Sequence, residues 1–176
     1  MAKEKKLKTF LLYFAVILAV ILVSGCHHSE LISSSIDWQR ATKVEYRYGD
    51  SSLPPDYHRS YTITITENLK TISIDSYGKV LLTKEYPNTA ADFKAFVEAL
   101  SKKGIYKHKE KDSGGCTGGT SELLRLFNGG ENLFDAYVYH CDGENGTLHL
   151  PEGTTDLIIK QIPEDVNLLI EGTMRR

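Results

Sequence analysis

The chain is poor in the residue patterns that announce chemistry. Its 176 residues contain no Gly-x-Ser-x-Gly, which removes the strained serine turn of the α/β-hydrolases. Its six histidines include no His-x-x-x-His, so no helix face offers the paired imidazoles of a zinc enzyme. The glycine-rich stretch from Gly114 to Ser121 has the spacing of a phosphate loop without its lysine. Thr120 stands where that lysine would neutralise phosphate, so nucleotide binding is without support. Basic residues are not in excess: 21 Lys and Arg face 23 Asp and Glu. That balance speaks against nucleic acid, whose binders carry basic faces. No metal, cofactor or catalytic residue is expected from any of these patterns. Cysteine is scarce as well, with three in the whole chain.

What the chain does have is an amino-terminal leader. Lys3, Lys5, Lys6 and Lys8 form a basic flank, relieved only by Glu4. Phe10 to Val23 is then free of charge, at about fourteen residues. That length falls within the roughly 7–15 residues of a signal core. It falls short of the about 20 residues that a bilayer-spanning helix needs. Ser24, Gly25 and Cys26 follow directly.

Val23-Ser24-Gly25-Cys26 resembles the lipobox of bacterial prolipoproteins. The resemblance implies that residues 1–25 are a cleaved signal peptide. It also implies that Cys26 becomes the first mature residue and receives fatty acyl chains of the palmitate type. One acyl chain binds a bilayer marginally, whereas two or more hold firmly, at about 0.8 kcal/mol per buried CH₂. In lipoproteins of Gram-negative cells, Asp after the cysteine usually retains the protein in the inner membrane. Here that position is His27, which implies the outer membrane, facing the periplasm.

Residues 26–37 read as a flexible, serine-rich tether, and residues 38–176 as one globular domain. The leader carries four lysines and one glutamate, so the mature chain keeps 17 basic against 22 acidic side chains, net −5. An exported compartment oxidises thiols, and with Cys26 acylated the default for Cys116 and Cys141 is a disulfide. If Asn128-Gly129 is a two-residue hairpin turn, these cysteines fall directly opposite each other. The site would be a non-hydrogen-bonded one, with Cα atoms about 4.5 Å apart.

Period-two alternation predicts strands at Lys43–Tyr48, Tyr61–Thr66, Thr71–Asp75 and Val80–Glu85, the last three as a meander. Phe93, Phe96, Val97 and Leu100 form one helical stripe behind a cap at Asn88 or Thr89. Further strand candidates are Ile105–Glu110, Glu122–Phe127, Leu133–His140 and Thr147–Leu150. A second helix is expected from Thr154 to Ile162, and Glu164–Arg176 is ambiguous. The expected fold is α+β: a mainly antiparallel sheet of about six strands with two helices packed on it.

The Tyr-Arg-Tyr strand, the threonine-rich strand after it and the Cys-Thr-Gly-Gly turn are similar to small bacterial lipoproteins, a likeness that implies no activity. The leading expectation is a non-enzymatic envelope lipoprotein. It would meet the bilayer through Cys26 and an envelope protein or small ligand through its loops. Gly114–Thr120 is one candidate contact loop. The other, Pro54–Tyr61, is the densest polar and aromatic cluster, with Tyr57, His58, Arg59 and Tyr61 as its contact residues. The alternative is a small exported hydrolase with His58 or His140 as base.

Overall fold

The computed structural model describes residues 36–111, 117–141 and 143–174. The leader, Cys26, most of the tether and Cys116 lie outside them. The strands are β1 (Lys43–Gly49), β2 (Ser60–Thr66), β3 (Leu69–Ser76), β4 (Lys79–Pro87), β5 (Tyr106–Lys111), β6 (Thr120–Asn128), β7 (Glu131–His140) and β8 (Glu144–His149). The helices are α1 (Ala90–Ser101), α2 (Thr154–Ile159) and α3 (Val166–Met174). All eight strands join one antiparallel sheet in the order β4-β3-β2-β1-β6-β7-β8-β5.

The α+β class and the antiparallel sheet are therefore as expected. The counts are not: there are eight strands and three helices, against about six and two. The sheet gains its extra strands from β5 and β8. Both are short; β5 is polar and held by the backbone ladder, while β8 adds Leu148 to the core.

Alternation does the sorting. Val44, Tyr46, Ile63, Ile65, Ile72, Ile74, Leu124, Leu126, Ala136, Val138 and Leu148 gather in one cluster. Phe93, Phe96, Val97 and Leu100 of α1, Ile158 of α2, and Val166 and Leu169 of α3 belong to the same cluster. Each such side chain contributes about 1.5–3 kcal/mol when fully buried. The other parity of the central strands is polar, with Glu45, Arg47, Thr62, Thr64, Thr71 and Arg125 only partly covered.

Helix α1 begins as its sequence implies. Thr89 Oγ1 accepts from the Asp92 amide at 3.1 Å and donates to Asp92 Oδ2 at 2.8 Å. Helix α3 resolves the ambiguous carboxyl-terminal stretch, where Val166, Leu168 and Ile170 alternate like a strand but Leu169 breaks the pattern. Asp165 settles the matter by capping: its Oδ1 accepts from the Asn167 amide at 2.8 Å. Val166 and Leu169 then point inward at i and i+3, and Leu168 is left 65% exposed.

The β6–β7 hairpin corrects the expected register. Asn128 stays in the ladder opposite Glu131, so the turn is Gly129-Gly130, with Gly129 at φ +54°. Leu133 is then an extra residue in β7, because Leu126 pairs with Phe134 while Phe127 pairs with Asn132. Thr120 consequently faces His140, and Gly119, not Cys116, comes level with Cys141. A Cβ on Gly119 would stand 2.6 Å from the His140 carbonyl oxygen and 2.9 Å from Cys141 Cβ, so only glycine fits there.

Candidate functional site

The Pro54–Tyr61 stretch contains the contact residues expected from sequence, and only Tyr57 is at the surface, 64% exposed. His58 is buried, its ring stacked on Tyr77 at 3.9 Å. Its Nδ1 accepts from the Tyr77 amide at 3.3 Å, and Ser60 Oγ lies 3.4 Å from Nε2. Tyr61 is in the core, stacked on Tyr48 at 5.2 Å. Burial, and then the charge of Glu122, push its phenol up to about 12.

Arg59 is buried at 7% exposure. Its Nε donates to Thr173 Oγ1 at 2.7 Å, Nη2 to Thr173 O at 3.1 Å, and Nη1 to His58 O at 2.7 Å and Pro55 O at 3.2 Å. These residues fasten the loop to the β3–β4 turn and to the carboxyl end of α3.

That fastening makes one wall of a cleft of about 950 Å³, lined by the 55–59 loop, β4 and α3. Seven large apolar or aromatic side chains stand exposed among the described residues. Four of them, Tyr57, Tyr77, Leu168 and Met174, line this cleft. Val80 adjoins it between Lys79 and Leu81, and the Leu53 carbonyl accepts from Tyr77 Oη at 2.6 Å. Leu81 is the unpaired residue of a bulge in β4, where Val80 pairs with Asp75 and Leu82 with Ile74. Bulge, lysines and Pro87 blunt this edge strand against pairing with another strand. Asp75, behind the turn, pairs with Arg47 at 2.8 Å. Burial opposes its charge, but the Arg47 and Gly78 bonds outweigh that and hold its carboxyl below the usual range.

A second cluster lies at the same ends of the central strands. Glu122 Oε2 accepts from Tyr46 Oη and Thr155 Oγ1, each at 2.6 Å, and Oε1 lies 2.9 Å from His140 Nε2. Tyr46 is fully buried, and burial with the Glu122 charge drives its phenol far above the ordinary value. The carboxylate thus ties β1, β6, β7 and α2 together. His140 has a carboxylate beside it, but no described hydroxyl bonds its ring; the Thr155 hydroxyl goes to Glu122 instead.

Sequence reading missed Glu122, although a carboxylate in step with inward Leu124 and Leu126 is a readable signal. It also missed a Ser-x-x-Lys spacing at Ser76–Lys79. That spacing falls on the β3–β4 turn, where Ser76 Oγ donates to Pro55 O at 2.8 Å. His149 stacks on Tyr106, and no group of three metal-ligating side chains occurs among the described residues. Cys141 is buried, while residues 114–116 of the Gly114–Thr120 loop lie outside the described residues.

Fold and site together define a class: an α+β domain built on one antiparallel sheet, with an amphipathic cleft beside an edge strand. Comparison with family models, with curated proteins and with solved structures finds no match to the chain.

Proposed function

We propose that this protein is a lipid-anchored, non-enzymatic binding domain of the cell envelope, and that the cleft between β4 and α3 is where it binds. The leader and lipobox support the anchor, and His27 supports the outer membrane, with the domain in the periplasm. The observation that carries the binding role is the gathering of exposed apolar side chains at one cleft. Soluble surfaces seldom keep such a cluster without an occupant. The cleft adjoins the start of β4, the pole opposite Thr42 and Lys43, where the chain joins the sheet. The bonding of His140 to Glu122 favours a hydrolase reading, but the three donors on that carboxylate equally serve a structural knot.

A photoreactive residue placed at Leu168 should capture an occupant in intact cells, and the same residue at exposed Glu98 should not. Equal yields at the two positions would remove the cleft from consideration.

A Cys116–Cys141 disulfide belongs to the same reading, because an exported pair is oxidised by default. In the chain-entropy model a loop of this size adds about 3 kcal/mol. Mass spectrometry of non-reduced peptides should recover the linked pair; two alkylatable thiols would refute the bridge.

A further inference from the structure

We infer that the cleft takes a single-chain anionic amphiphile, with its carboxylate at Arg59 and Lys79 and its apolar chain along Leu81, Leu168, Leu169 and Met174. The inference rests on the cleft being the binding site and goes on to name the chemistry of what it holds.

The carrying observation is the charge of Arg59. Every bond its guanidinium makes goes to a neutral oxygen: the Thr173 hydroxyl and the carbonyls of Thr173, His58 and Pro55. No carboxylate pairs with it among the described residues. A cation so buried ordinarily has an anionic partner, because removing it from water is costly. The carboxyl end of α3 offsets part of the charge, roughly half an elementary unit. Among the described residues no carboxylate bonds the guanidinium to offset the rest, the Asp50 carboxylate accepting only from the Arg59 amide, and of the five N–H groups of an arginine one on Nη2 has no described partner. Arg59 lines the cleft, as does Lys79, which makes no ion pair among the described residues. Lys84 is committed to Glu164, and Asp56, the one carboxylate of the lining, pairs with neither Arg59 nor Lys79.

Beyond this cationic end the lining includes Leu81, Leu82, Leu168, Leu169 and Met174. The volume, about 950 Å³, falls in the roughly 300–1,000 Å³ range of small-ligand sites. The blunted edge of β4 argues against a peptide strand as occupant. A carboxylate suits a guanidinium fork, and a flexible apolar chain suits Leu and Met walls.

The test uses the full acylated protein in phosphatidylcholine nanodiscs and two photoactivatable sixteen-carbon probes, one a fatty acid and the other its alcohol. Mapped by mass spectrometry, the acid should label the peptides holding Leu81 or Leu168–Met174 at least about tenfold more than the alcohol does, as a charged hydrogen bond implies. Lys79→Gln, at an exposed position, should remove most of that preference. Arg59→Gln should do the same, but it also loosens α3, so Lys79→Gln carries the test. Equal labelling by acid and alcohol would overturn the anionic head while leaving the cleft as the site. No labelling of these peptides by either probe would overturn the amphiphile altogether. The capture experiment at Leu168 decides separately whether the cleft binds anything.

Discussion

Cys26→Ser is expected to leave the precursor unprocessed, still carrying its leader and without acyl mass. The effect should be all-or-none, because serine has no sulfur to receive the first acyl group. In the lipoproteins whose lipobox this chain resembles, a dedicated signal peptidase cuts only after that group is attached, so the leader should stay on. The physical loss is large. At about 0.8 kcal/mol per CH₂, two or three chains contribute far more than any surface contact of a mature chain with net charge −5 could replace. Metabolic labelling with a fatty-acid analogue, followed by intact-mass measurement, reads both parts of the change. Normal labelling of the serine variant would defeat the anchor, and with it the compartment on which the disulfide depends. A chain that loses its label but is still cut before residue 26 would show that an ordinary signal peptidase processes this leader.

How far the fold can be read from sequence depends on which force fixes each element. Strands β1 to β4 and helix α1 are legible because apolar burial and local capping agree there. Tyr61, Ile63 and Ile65 alternate cleanly, and Thr89 with Asp92 opens a helix whose stripe repeats at 3.6 residues. Where the two signals conflict, the pattern leaves the element ambiguous. Helix α3 shows a strand's alternation, and only the Asp165 cap with its tertiary neighbours overrules it. The β6–β7 register fails for a different reason. Asn-Gly marks a turn, but two glycines in a row let it slide by one residue, and the bulge at Leu133 shifts it again.

The candidate site was legible only as composition. His58 and Arg59 stood out as polar residues in a proline-rich loop and read as contacts for a partner. The structure spends them on fastening that loop to Tyr77 and Thr173. The cleft they help to build draws its other wall from α3, which is more than a hundred residues away in the chain. No local pattern could have joined the two. Exposed Leu168 carries meaning only once α3 is known to be a helix lying beside β4.

Glu122→Ala should destabilise the domain by about 2–4 kcal/mol, the usual toll of stranding buried partners of a charged acceptor. Tyr46 bears most of it. It is fully buried, and its hydroxyl has Glu122 as its acceptor at 2.6 Å. Thr155 loses its acceptor too, which weakens the hold of α2 on the sheet. Tyr46→Phe should cost less, about 1 kcal/mol, because Glu122 keeps two other donors. The double variant should fall short of the sum, with a coupling of about 0.5–3 kcal/mol typical of residues in one network. Urea unfolding of the three variants measures all of this. Glu122→Gln keeps one oxygen as acceptor and should recover part of the loss. If Glu122→Ala instead unfolds within about 0.5 kcal/mol of the parent, the carboxylate is not a structural knot. A half-buried His–Glu pair that the fold does not need would then be held for chemistry, and the hydrolase reading built on His140 would overtake the binding one.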